Sequence, residues 1–148
     1  EEEVIRLHDD LIDASGGVKG TIRPEGVNYV AQFLPHIEDQ SLEGISAYLL
    51  CRIAKGHPFT DGNKRTAYFA ARYFLMRNGA DFNETNAEQA TKEIESVAAQ
   101  INMEAACSQT RELVKGYITI DQPRIPDYET FFRLVIKSID VARRLAKR

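Results

Sequence analysis

The chain has 148 residues, of which 43% are hydrophobic and 28% charged, with a formal net charge of −3. This suits one globular domain with a proper core, gives no general drive toward nucleic acid or an anionic membrane, and includes no apolar run long enough to span a bilayer. No secretory signal pattern is present, the start at Glu1 rather than Met leaves room for a preceding segment, and the two cysteines, Cys51 and Cys107, are expected as reduced thiols in the cytoplasm.

Val4, Ile5, His8, Leu11 and Ile12 fall on one stripe at helical spacing, and Ser15-Gly16-Gly17 ends it. His8 lies on that apolar stripe and reads as a core or boundary histidine rather than a ligand. Pro24 opens a second helix, with Val27, Val30, Ala31 and Leu34 facing inward and Pro35 as its close. His36 follows in a loop with nothing nearby to pair with it. Leu42, Ile45, Leu49 and Ile53 mark a third helix with Gly56 as its cap, and Cys51 within it reads as a small core residue. A fourth helix starts near Asn63 and stops at Asn78-Gly79. Ala67, Ala70, Ala71, Phe74 and Leu75 line one face, and Tyr68, Phe69, Tyr73 and Met76 cover most of the rest, the pattern of a central, buried helix. Thr85 and Glu88 form a capping box for a fifth, lined by Ala90, Ile94, Val97 and Ile101. A shorter helical stretch is expected over 112–117. After Pro123 and Pro126, Asp127 caps a last helix bearing Phe131, Val135, Ile139, Ala142 and Leu145, basic toward its end. The expected fold class is all-α, in a single domain over 1–148.

The segment His57-Pro58-Phe59-Thr60-Asp61-Gly62-Asn63-Lys64-Arg65 breaks a local rule. Lys64 and Arg65 occupy the first turn of a helix, where the macrodipole favours acidic residues. Such a conflict marks functional sites, and the simplest compensation is an anion. Backbone N–H groups at a helix start, two cations and a preceding glycine suit a phosphate. Pro58 disfavours helical backbone at His57 and turns it out of the third helix, where a neutral imidazole can accept a proton near neutral pH. Phe59 is the one large apolar residue of the loop and anchors it to the core. Gly62 lets backbone approach an anion, Asn63 can donate from its amide, and Arg65 offers a fork for paired phosphate oxygens. Taken singly, each has a plainer role: His57 as a helix end, Asp61-Gly62 as a turn or cap, Asn63 as a cap, Lys64 and Arg65 as a solvated pair.

The same string resembles the signature of the Fic/Doc family, HxFx(D/E)(G/A)N(G/K)R, at every defined position. Lys64 and the following Thr66-Ala67 are similar to the Doc (death-on-curing) branch. Residues 3–13 with Ser15-Gly16-Gly17-Val18-Lys19-Gly20 resemble that branch's first helix and glycine-rich flap, and Ala54-Lys55-Gly56 and 74–79 also fit. The resemblance covers about 1–115 and leaves 116–148 as an unassigned helical extension. It implies a helical bundle with the motif loop between two central helices. It also implies ATP as co-substrate, His57 as general base, and Asp61 as the ligand of a magnesium ion on the phosphates. Gly62, Asn63, Lys64 and Arg65 would hold the nucleotide, and Gly17, Val18, Lys19 and Gly20 would dock the target segment.

Two departures from the Fic pattern bear on the reaction. Lys64 replaces a glycine that shapes the α-phosphate site, and Tyr68 replaces a second arginine that holds the terminal phosphates; Doc shares both. Thr21-Ile22-Arg23-Pro24-Glu25-Gly26 fits the inhibitory pattern (S/T)xxxE(G/N), but Tyr68 removes the arginine such a glutamate pairs with, so the match reads as chance. The expectation is a Doc-like toxin transferring phosphate from ATP to a hydroxyl of a protein target, a translation factor such as elongation factor Tu by analogy. A separate antitoxin partner would restrain it, unless the last helix itself covers the groove near the flap. Gly62, where phage-type Doc has alanine, is Fic-like and keeps AMP transfer as the alternative. A non-catalytic binding module is the reading from another class, against which the intact His57, Asp61 and Arg65 argue.

Overall fold

The computed structural model describes residues 2–20, 24–56, 58–60, 62–83 and 102–146. In chain order they form α1 (Glu2–Ser15), α2 (Pro24–Phe33) running into a 3-10 turn (Leu34–His36), α3 (Leu42–Gly56), α4 (Asn63–Arg77), β1 (Ala80–Phe82), α5 (Met103–Lys115), β2 (Ile118–Ile120) and α6 (Tyr128–Ala146). The fold is all-α, apart from a two-stranded antiparallel ribbon that pairs Ala80 with Ile120 and Phe82 with Ile118. The helix expected over 85–101 lies outside the described residues.

α4 sits at the centre. α3 and α1 pack along it, and α5 lies against the other side of α3. Ala67, Ala70 and Ala71 are buried on α4, and such small side chains let neighbouring helices come close. Leu11, Ile53, Leu75 and Phe131 fill the space between helices and retain at most 1% exposure. Among the described residues no helix is long and apolar enough to cross a membrane.

α2 ends at Phe33, next to the expected close at Pro35, which lies inside the 3-10 turn, where its missing N–H is not needed. Two boundaries differ from the sequence reading. α5 begins nine residues before the expected 112, because Asn102 caps it by accepting from the Ala105 N–H at 2.9 Å. Tyr117 lies beyond its end and passes into β2. Asp127, by contrast, caps α6 as expected, accepting from the Thr130 N–H at 2.8 Å.

α6 is an integral part of the core: Phe131 and Val135 have no exposed surface. At its start the Tyr128 hydroxyl donates to Asp10 at 2.7 Å, and the Arg6 guanidinium lies 4.2 Å over the Tyr128 ring while pairing with Glu129. The Arg77 guanidinium, at the far end of α4, donates to the Pro126 carbonyl. α1 and α4 run antiparallel, with Ser15 beside Arg65. These α6 contacts therefore lie toward the opposite end, with Tyr73 about 12 Å along α4 from Arg65. There Tyr128 helps to wall a cavity of about 380 Å³ with Glu3, Leu7, Val30 and Tyr73.

Two further pairs tie the bundle together. Arg72 on α4 grips Asp81 of β1 through two parallel bonds, Nε to Oδ1 at 2.9 Å and Nη2 to Oδ2 at 3.1 Å, with both side chains largely buried. Cys51 on α3, fully buried, hydrogen-bonds to Cys107 on α5; this bond first, and burial second, push the Cys51 thiol up, while the same bond lowers Cys107.

Two outcomes follow from this packing. Phe131→Ala is expected to lower stability by about 3–5 kcal/mol in chemical denaturation followed by circular dichroism; a loss under ~1 kcal/mol would mean that α6 stands outside the cooperative unit. Because the thiolate is the reactive form, iodoacetamide at neutral pH should label Cys107 well before Cys51, as read by peptide mass spectrometry. Equal rates would contradict the asymmetry of the pair.

Candidate functional site

The loop between α3 and α4 is built around Phe59, which has no exposed surface. Its ring stacks on His8 of α1 with centroids 3.8 Å apart and planes 4° from parallel. Its backbone is gripped by Asn63: the Phe59 N–H donates to Asn63 Oδ1 at 3.0 Å, and Asn63 Nδ2 donates to the Phe59 carbonyl at 2.9 Å. Ring, donor and acceptor of one buried residue are thus all satisfied, which fixes Phe59 against the middle of α1.

Gly62 then starts α4 in the left-handed region, at φ 77° and ψ 19°. A Cβ here would stand 3.0 Å from Ile12 Cδ1 and 3.6 Å from His8 Cδ2, so the positive φ and the close approach of Ile12 both favour glycine. No acidic side chain stands in the first turn of α4. Lys64 is exposed and Arg65 half-buried.

Arg65 reaches across to the end of α1. Its Nη1 donates to Ser15 Oγ at 2.5 Å and to the Gly16 carbonyl at 2.9 Å. At the other end of the 16–20 loop, the Thr60 N–H donates to the Gly20 carbonyl at 3.0 Å. The glycine-rich segment is therefore hung by both ends from the motif. Gly17, Val18, Lys19 and Gly20 are all exposed, Val18 at 60%, and Lys19 pairs with Asp13 at 2.7 Å.

The structure thus brings Gly62, Asn63, Lys64, Arg65 and both ends of the flap together around one helix start. His57 and Asp61 lie outside the described residues, as does the first part of the Thr21–Gly26 segment. Asn63 grips Phe59 through Oδ1 and one proton of Nδ2, a tie to the loop that the sequence reading did not include. Tyr68 is half-buried, stacked on Phe82 at 5.3 Å and edge-on to Phe69 at 5.0 Å. His8 is a core histidine, as expected, but its place beneath Phe59 makes it part of the loop's support. Ser15 and Gly16 were legible only as a helix stop; nothing local in the sequence signals a bond to an arginine fifty positions on. Among the described residues no three His, Cys, Asp or Glu side chains converge on a metal position.

A family model described as Fic/DOC family matches residues 1–75. Over 82 residues the chain is 40% identical to "Protein kinase doc" of Escherichia phage P1, an alignment covering 53% of this chain and 65% of that protein, just short of two thirds of its length. Over 111 residues it is 36% identical to "Toxin Doc" of Mycolicibacterium smegmatis, covering 68% of this chain and 78% of that protein. The family match takes in α1, the flap and the whole motif loop, and on it the chain belongs to the Fic/DOC family.

Proposed function

We propose that the protein is a Doc-like toxin, a transferase that moves the γ-phosphate of ATP onto a hydroxyl of a protein target. The observation that carries this reading is the start of α4, where a left-handed glycine precedes a first turn with two cations and no acid. A phosphate would supply negative charge at a first turn that carries no acidic side chain of its own. The relatives named as a kinase and as a toxin support the same reading. Tyr68 supports phosphate over AMP transfer: the position where Fic enzymes hold terminal phosphates with an arginine carries an aromatic ring packed on Phe82.

In this mechanism the flap aligns the target segment by strand-like pairing, and His57 takes the proton of its hydroxyl. The freed oxygen attacks the γ-phosphorus, the bond to the β,γ-bridging oxygen breaks, and ADP leaves. Lys64 and Arg65 hold the phosphates through this change. Magnesium, when bound, neutralises charge on the phosphate oxygens, and Asp61 is the residue that would hold it. The target would be a translation factor such as elongation factor Tu. Restraint would come from a separate antitoxin-like protein, since Tyr68 leaves no second arginine for an internal inhibitory glutamate.

ATP labelled separately at the α and γ positions decides the reaction: label passes to protein from the γ position here, and passage from the α position would establish AMP transfer instead. ATP with magnesium is expected to raise the melting temperature, by an amount set by ligand excess, and Lys64→Ala and Arg65→Ala should each reduce the shift. No shift with any nucleotide would count against the site. His57→Ala should lose transfer by at least about a hundredfold while keeping nucleotide affinity; undiminished transfer would remove His57 from the mechanism.

A further inference from the structure

The end of α1 and the start of α4 meet at one guanidinium. Ser15 Oγ donates its single proton to the Leu11 carbonyl at 2.6 Å, so toward Arg65 it acts as an acceptor. The Gly16 carbonyl, past the last turn of α1, belongs to the negative end of that helix and accepts from the same nitrogen. Nη1 carries two protons, and these two acceptors account for both. The geometry turns the other terminal nitrogen inward: Nη2 lies 3.5 Å from where a Cβ on Gly62 would stand, against the glycine that opens α4.

We propose that Ser15 is a positioning residue for nucleotide recognition. By holding Nη1, it aims the Nη2 side of Arg65 at the phosphates bound over the first turn of α4. An arginine side chain has four rotatable bonds, and a guanidinium already held at one nitrogen loses less freedom when it meets phosphate oxygens. Ser15 is also the last residue of α1 and adjoins the flap, so the bond that aims Arg65 also fixes where the flap begins. This inference rests on the nucleotide-binding reading given above.

The test is calorimetric titration of ATP with magnesium into the wild type and into Ser15→Thr, Ser15→Val and Ser15→Ala. Threonine and valine have the same shape and differ in the hydroxyl, so their difference excludes packing. Ser15→Thr should bind within about twofold of wild type, and Ser15→Val and Ser15→Ala roughly five- to tenfold more weakly, the scale of one hydrogen bond to a charged group. A second series is made on Arg65→Lys, which keeps the charge but lacks the fork. There, Ser15→Val should cost less than about 1.5-fold more, because it acts through the guanidinium it positions. Equal affinity of the threonine and valine variants would overturn the inference while leaving the nucleotide reading intact. So would an undiminished effect of Ser15→Val in the lysine background. Failure of the wild type to bind ATP would overturn the nucleotide reading, and this inference with it.

Discussion

The site depends on a flat contact between two rings. Phe59 interrupts the chain between two helices, and without support such a loop would be free to move. Instead its ring lies on the buried imidazole of His8, and its two backbone groups close on the Asn63 amide. α1 thus serves as the floor of a loop that begins more than forty residues later. A loop held in this way presents its neighbours from a rigid frame, which is what sites requiring sub-ångström placement need. The apolar stripe of α1 is thus both core and foundation.

Two helix ends then face each other across Arg65. The C-terminal end of α1 is electronegative and the N-terminal end of α4 electropositive. One arginine satisfies carbonyl and hydroxyl oxygens at the first, while its position in the second adds positive charge where the dipole already supplies it. Arg65 is thus matched to the α1 side, and on the α4 side the proposed anion would complement its charge without disturbing the bond to Ser15. The flap, hung from Arg65 at one end and Thr60 at the other, shares that framework.

Much of the fold was legible because its signals are local. Asp127 before α6, Gly62-Asn63 before α4 and the Asn78-Gly79 stop are chemical punctuation that does not depend on distant neighbours. β1 and β2 were not legible: three residues are too few to display an alternating pattern, and their pairing joins segments some forty residues apart. α5 was read short because its buried stripe, Ala106, Thr110 and Val114, offers one small and one polar residue before the first bulky apolar one. In the site, the charge conflict at Lys64 and Arg65 pointed to the helix start. The partners that organise it, His8 under Phe59 and Ser15 against Arg65, are tertiary facts with no local signature. The hold of Asn63 on Phe59 is of the same kind, since only the path of the folded loop shows Phe59 within its reach.

Gly62 carries a constraint that links two helices in evolutionary terms. Its missing side chain leaves room filled by the end of Ile12, 3.0 Å from where a methyl group would begin. An alanine at position 62 would therefore press on α1 as well as sit in a left-handed conformation costing roughly 1–2 kcal/mol. A smaller residue at position 12 would relieve the first cost and leave the second. Chains of this family with alanine at the position of Gly62 should accordingly carry a trimmed side chain at the position of Ile12. Substitutions in the motif and in the first helix would then be coupled through the volume they share at this interface.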